Sequence, residues 1–292
     1  MSADALSRVH GNRLSRCRPL LGTYVEISLQ GELTDAQLIE LSSLGFAAIT
    51  HIQDLMSFHS AASELTRINR LAHIEPQPIN KLTYQLLDQA LQISAQSQGV
   101  FDVTVGAALV KQQLLPNHGF CLSDKPNWQA IQLQPEAVFF TQPLQLDLGG
   151  IAKGFAVDKA FETIVQAAGE CANNLQITIN AGGDMRMSHW QNQTVGIRDS
   201  EHPERIIPVP LKNSSLATSA NYFLTPEFLT ENALTARAGI YSPHSQTPLL
   251  SKRSFSVFAN CCTLADALTK VLALMENPAP LFAALQAEAQ VL

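Results

Sequence analysis

The sequence predicts an α+β fold. Three observations carry that reading. Leu38, Leu41, Gly45, Ala48, Ile52 and Leu55 recur at helical spacing and mark one long amphipathic helix. Short alternating runs face each other across turns, as at Val195–Arg198 and Ile206–Pro210. Strands and helices do not alternate in the regular order that a parallel sheet demands. The chain has 292 residues, 46% of them hydrophobic, which allows a single large domain over 17–278 or two intimately joined lobes.

The elements follow in order. Residues 1–16 are polar and read as a flexible N-terminus. Val25, Ile27 and Leu29 share one face of a strand entered through Leu20-Leu21-Gly22-Thr23. Thr34-Asp35-Ala36-Gln37 has the form of a capping box at the start of the long helix. That helix ends near Met56-Ser57-Phe58, and Ser63 caps a short helix running to Asn69. Asn80 caps another over 81–97, with Gly99 at its end. Residues 112–135 lack periodicity and read as an excursion.

Val138-Phe139-Phe140 and Leu144–Leu148 flank Thr141-Gln142-Pro143, so a hairpin is expected there. Gly149-Gly150 follows, then a helical stripe of Ile151, Phe155, Phe161 and Ile164 that Gly169 can end. Further strands are expected at Gln176–Asn180, at Leu216–Tyr222 and at Ser256–Asn260. Thr263 is placed to cap a helix carrying Leu264, Leu268, Val271 and Met275, and a last helix spans about 280–290.

Composition narrows the function classes. The net charge is −6 with only 15% charged residues, and no basic run suggests nucleic acid. Five cysteines without CxxC spacing argue against zinc or a disulfide framework. No secretory signal and no apolar stretch of membrane-spanning length is present, so a cytoplasmic protein is expected. The stretch 145–161 carries the chemistry. A strand feeds a glycine turn and then a helix, gathering Asp147, free backbone N–H groups and Lys153 around one helix N-terminus. Such a terminus can receive phosphate or pyrophosphate, although taken alone the stretch reads more readily as a plain tight turn.

Two glycine turns with an aspartate stand out, Leu146-Asp147-Leu148-Gly149-Gly150 and Asn180-Ala181-Gly182-Gly183-Asp184. With Met56-Ser57-Phe58, Ser63-Glu64-Leu65, Phe101-Asp102-Val103-Thr104-Val105 and Ala265-Asp266-Ala267-Leu268-Thr269, they resemble the ApbE family of FAD:protein FMN transferases. The resemblance implies an ApbE-like, T-fold-related architecture of antiparallel sheets and packed helices. It implies a Mg²⁺-dependent transfer of FMN from FAD to a Thr or Ser hydroxyl of a target flavoprotein, with release of AMP. It also implies flavin-nucleotide contacts at Leu21, Phe58, Phe101, Asp102, Asp147 and Lys153. Metal ligands are implied at Gly150, Asp266 and Thr269, with Asp266 and Lys153 closest to the chemistry. Phe58 can stack on a ring or belong to the core.

Several positions depart from the family pattern. Ala220 stands where the family has glycine, and Gly239, Ser242 and Gln246 replace a histidine, an aspartate and a glycine. Lys270 stands where a threonine is usual, so its ammonium either repels Mg²⁺ or takes its place. These departures keep open a flavin-binding paralogue without transfer, and a pyrophosphatase that splits FAD to FMN and AMP.

Overall fold

The computed structural model describes residues 11–120, 125, 127–202, 204–220 and 240–292. The first elements are β1 (Asn12–Leu20), β2 (Thr23–Gly31), α1 (Asp35–Met56), α2 (Glu64–Leu71), β3 (Gln77–Pro78) and α3 (Lys81–Gln96). Next come α4 (Gly106–Lys111), β4 (Ile131–Gln134), β5 (Ala137–Phe140), α5 (Ala152–Ala168), β6 (Gln176–Ala181) and β7 (Asp184–Met187). Then follow β8 (Thr194–Arg198), β9 (Ile206–Pro210), β10 (Ser215–Ala220), β11 (Tyr241–Ser242), β12 (Thr247–Pro248) and β13 (Ser254–Ala259). The chain closes with α6 (Cys262–Leu274), α7 (Ala279–Ala284) and β14 (Glu288–Val291).

The α+β expectation holds. Seven strands form one antiparallel sheet in the order β1-β2-β6-β7-β10-β13-β14. Helices α1, α5 and α6 pack side by side on it. Alternation in β2 and β6 buries Val25, Ile27, Leu29, Ile177, Ile179 and Ala181 in the main core. The β8–β9 hairpin covers a smaller cluster, in which Ile197 and Val209 meet Leu216 and Phe258. The capping box at Thr34 forms as expected, and Ser63 and Asn80 cap their helices.

Four expectations need correction. First, β1 begins at Asn12, so residues 12–16 are an edge strand and not a flexible tail. The Arg18 guanidinium lies 4.6 Å from the centroid of the Phe46 ring, which explains how so polar a strand packs. Secondly, the sheet's other edge is β14, where Phe255 pairs with Val291, so the domain extends beyond residue 278. The helix expected over 280–290 is six residues long before the chain turns into that strand.

Thirdly, β5 pairs with β3 and β4 in a three-stranded sheet, not with the segment 144–148. That segment is held instead by single groups. Asn69 donates from Nδ2 to the Leu146 carbonyl at 2.9 Å and accepts the Leu146 N–H at 2.7 Å. Gly106 N–H donates to Gln145 O at 3.0 Å, and Asp147 N–H donates to Val103 O at 2.8 Å. One asparagine side chain thus takes the place of a neighbouring strand, satisfying backbone groups that burial would otherwise orphan. Fourthly, Thr263 lies inside α6, and its hydroxyl serves a carboxylate on α5.

The close crossing of α5 on α6 depends on Gly154. A Cβ there would lie 2.3 Å from the Cys262 carbonyl oxygen and 2.9 Å from Asp266 Cβ. Backbone cannot yield as a flexible side chain does. Gly154→Ala is therefore expected to destabilise the protein by about 1–3 kcal/mol, read as a lowered urea midpoint. An unchanged midpoint would show that the helices separate freely.

Candidate active site

The site begins with Asp158 on α5. Its carboxylate accepts the N–H groups of Cys262 and Thr263 at 3.0 and 2.8 Å and the Thr263 hydroxyl at 2.6 Å. Arg186 of β7 donates to it at 2.7 Å. A buried carboxylate from one helix therefore caps the start of another, where the unpaired N–H groups and the dipole both favour negative charge.

That cap fixes α6 so that Asp266 faces the first turn of α5. Gly154 N–H donates to Asp266 Oδ2 at 3.1 Å, and Lys153 Nζ lies 3.4 Å from the same oxygen. Lys153 Nζ also pairs with Asp184 Oδ2 at 2.7 Å. Lys270, one turn along α6, donates to Asp266 Oδ1 and to the Asp266 carbonyl at 3.0 Å. Two ammonium groups and two carboxylates thus share one corner, with the carboxylates almost wholly buried.

The charges shift one another. Burial alone would raise Asp266, but Lys153 and Lys270 outweigh it and hold the carboxyl below its usual range. Burial would weaken Lys153 as a cation, yet Asp266 and Asp184 hold it firmly protonated. Asp184 is pushed up to about 6, first by burial and then by the charge of Asp266. Burial also raises Asp102 and Asp147.

Two clefts meet at this corner. One, of about 400 Å³, is lined by Phe101, Asp102, Asp147, Gly150, Lys153 and Lys270, with Thr218 and Ser219 of β10 opposite. The other, of about 440 Å³, is lined by Leu21, Gln53, Phe58, Asp147, Gly149 and Lys153. Leu21 sits in the two-residue β1–β2 turn at φ 56, and its N–H donates to Gln53 Oε1 at 2.6 Å. Phe58 is buried, with its ring 5.7 Å from that of His118. His118 is half-buried and contacts the Phe58 carbonyl at 2.7 Å.

The structure therefore brings Leu21, Phe58, Phe101, Asp102, Asp147, Gly150 and Lys153 to the walls of two joined clefts. Asp102 also does local work, accepting the N–H and hydroxyl of Thr104 at 2.8 and 2.7 Å. Thr269 departs from expectation. It is fully buried, and its hydroxyl donates to the Asp266 carbonyl at 2.7 Å and meets Ser219 Oγ at 2.7 Å. It braces α6 against β10 and does not line either cleft.

The donor set expected for Mg²⁺ does not fit that ion. Both oxygens of Asp266 already take donors, Lys270 on one and Gly154 and Lys153 on the other. Gly150 lies against the Lys270 side chain, whose Cε would be 3.4 Å from a Cβ placed there. A dication about 4 Å from one such ammonium is opposed by roughly 8 kcal/mol at an effective dielectric constant near 20. Among the described residues no cluster of three or more His, Cys, Asp or Glu side chains could hold a metal.

The remaining departures divide. Ala220 lies in β10 opposite Ser254, an extended conformation that suits alanine. Gln246 holds φ 55, the left-handed backbone that glycine usually supplies. Ser242 pairs within the β11–β12 hairpin, and Gly239 lies outside the described residues. His244 borders a neighbouring cavity with Gly99, Asn127 and Trp128, not the lysine-lined cleft. Asp184, at the end of the Gly182-Gly183 turn, is the residue that pairs with Lys153. Its place after two glycines gave no sign that it would reach Lys153.

The fold and site define an α+β protein with two lysine ammonium groups, held by buried carboxylates, at the junction of two clefts. The ApbE family model matches residues 21–291, so the chain belongs to the ApbE family. It is 30% identical over 239 residues to a FAD:protein FMN transferase of Chlamydia muridarum, covering 76% of this chain and 72% of that protein. A FAD:protein FMN transferase of Treponema pallidum is 25% identical over 294 residues, 89% of this chain and 78% of that one. In fold it is similar to the flavin transferase ApbE from Vibrio cholerae, with a TM-score of 0.79 at 19% identity, covering 97% and 94% of the two chains.

Proposed function

We propose that this chain is a FAD:protein FMN transferase. The observation that carries the reading is the junction of the two clefts at Asp147, Gly149 and Lys153. FAD has the same plan, a diphosphate between two ring-bearing arms. The diphosphate sits at Lys153 and Lys270, and the adenosine and riboflavin arms enter separate clefts. Leu21 and Phe58 give one cleft an apolar wall, and Phe101 does so for the other.

The acceptor is a Thr or Ser hydroxyl of a target flavoprotein. Its oxygen forms a bond to the phosphorus on the riboflavin side. The P–O bond to AMP breaks, AMP leaves with the bridging oxygen, and the hydroxyl proton is released. Such a transfer needs positioning and charge stabilisation more than a strong base. Lys153 and Lys270 supply fixed positive charge beside the breaking bond, and the buried carboxylates keep both ammonium groups in place. Mg²⁺, which the family resemblance implies, has no fitting donor set here.

The direct test incubates the protein with FAD and a candidate acceptor domain, then weighs the acceptor. A gain of one FMN with release of AMP is expected. AMP without modification of the acceptor would show hydrolysis instead, and retention of intact FAD would show binding alone. Asp147→Ala removes the carboxylate that accepts the Gly149 N–H and is expected to weaken FAD binding about tenfold. Unaltered affinity would remove Asp147 from the site.

A pH dependence follows from Asp184. Its carboxyl is raised to about 6. Above that value the corner holds two positive and two negative charges. As pH falls through it, Asp184 gains a proton and the corner loses one negative charge. The diphosphate diester of FAD does not titrate in this range. FAD affinity is therefore expected to rise several-fold between about pH 7.5 and pH 5. Asp184→Asn should flatten the profile; an affinity falling with acid would contradict the assignment.

A further inference from the structure

We infer that Lys270 takes the position of a divalent cation, making this chain's nucleotide binding independent of metal. The inference rests on the reading of the site as a diphosphate site. Its ground is the arrangement around Asp266. This carboxylate is fully buried, so it must be neutralised by whatever stands against it. A metal-binding carboxylate would keep an oxygen for the ion. Here Lys270 takes Oδ1, while Gly154 N–H and Lys153 take Oδ2.

Lys270 is not a stray surface chain. It is built into the wall, with Nζ also on the Asp266 carbonyl at 3.0 Å and its stem beside Gly150. The side chain is 16% exposed and lines the cleft shared by Asp147 and Lys153. Its spacing helps, because Lys270 follows Asp266 by one helical turn and so lies on the same side of α6.

The donors count out. An ammonium group has three N–H donors. Lys270 spends two on Asp266, and Lys153 spends two on Asp184 and Asp266. Each keeps one for a ligand. Two point charges flanking a cleft suit a dianionic diphosphate, which a dication would otherwise neutralise. Thr269 cannot stand in for the lysine, since its hydroxyl is committed to Asp266 O and Ser219.

The test titrates FAD into the full chain, following flavin fluorescence, once with excess EDTA and once with excess Mg²⁺. ADP is titrated in parallel by calorimetry. The two FAD dissociation constants are expected to agree within about twofold. Lys270→Thr should bind FAD at least about tenfold more weakly in EDTA and recover with Mg²⁺. Lys270→Arg, which keeps the charge, should remain indifferent to the metal. Thermal melts of each variant establish that it is folded. A wild-type chain that binds at least about tenfold more tightly with Mg²⁺ would overturn the inference. So would a folded Lys270→Thr with unchanged affinity in EDTA. Binding of ADP but not FAD, with the same dependence on Lys270, would sustain the ammonium site and overturn the flavin reading. Binding of neither would overturn both.

Discussion

The structure depends on how closely α5 crosses α6 at Gly154. Without a side chain there, the Cys262 carbonyl comes within a distance that no Cβ could tolerate. Two carboxylates then bridge the helices. Asp158, on α5, caps the start of α6, and Asp266, on α6, accepts the N–H of Gly154. Each helix thus satisfies polar groups of the other. Burial makes the arrangement exacting, since a carboxylate in this position costs several kcal/mol if a partner is lost.

That crossing also explains where the positive charge lies. Lys153 precedes Gly154 and Lys270 follows Asp266 by one turn, so the contact that joins the helices delivers both ammonium groups to one corner. Asp184 arrives from β7, at the end of the Gly182-Gly183 turn, and pairs with Lys153. The corner is neutral overall but uneven. Its carboxylates are buried, while the lysines reach the clefts. At the junction a ligand meets both lysines and the Asp147 carboxylate. The two clefts share Asp147, Gly149 and Lys153, so anything that fills both passes between a carboxylate and an ammonium group.

Much of this was legible in the sequence, for physical reasons that can be named. Helical spacing located α1, and the Thr34, Ser63 and Asn80 caps were readable because capping is local. The glycine turn and helix start within 145–161 were readable, and Asp147 and Lys153 both line the junction of the clefts. What depends on distant partners was not legible. Leu144–Leu148 alternates like a hairpin strand, yet its partner is the side chain of Asn69, far away in sequence. Thr269 looked like a ligand beside Asp266, but helix rotation turns it to Ser219. Lys270 was visible as an unusual residue. Only the geometry shows it seated on Asp266. The N-terminal strand was hidden by its arginines, whose packing on Phe46 no local pattern announces.

The central claim is that paired lysines, fixed by the α5–α6 crossing, hold a nucleotide diphosphate without a divalent ion. A crystal structure of the FAD complex grown with Mn²⁺ tests it most directly, because anomalous scattering separates the metal from water. The account predicts a diphosphate in hydrogen-bond contact with Lys153 Nζ and Lys270 Nζ, and no anomalous peak at Asp266. Manganese on the Asp266 carboxylate, with Lys270 displaced from it, would contradict the account.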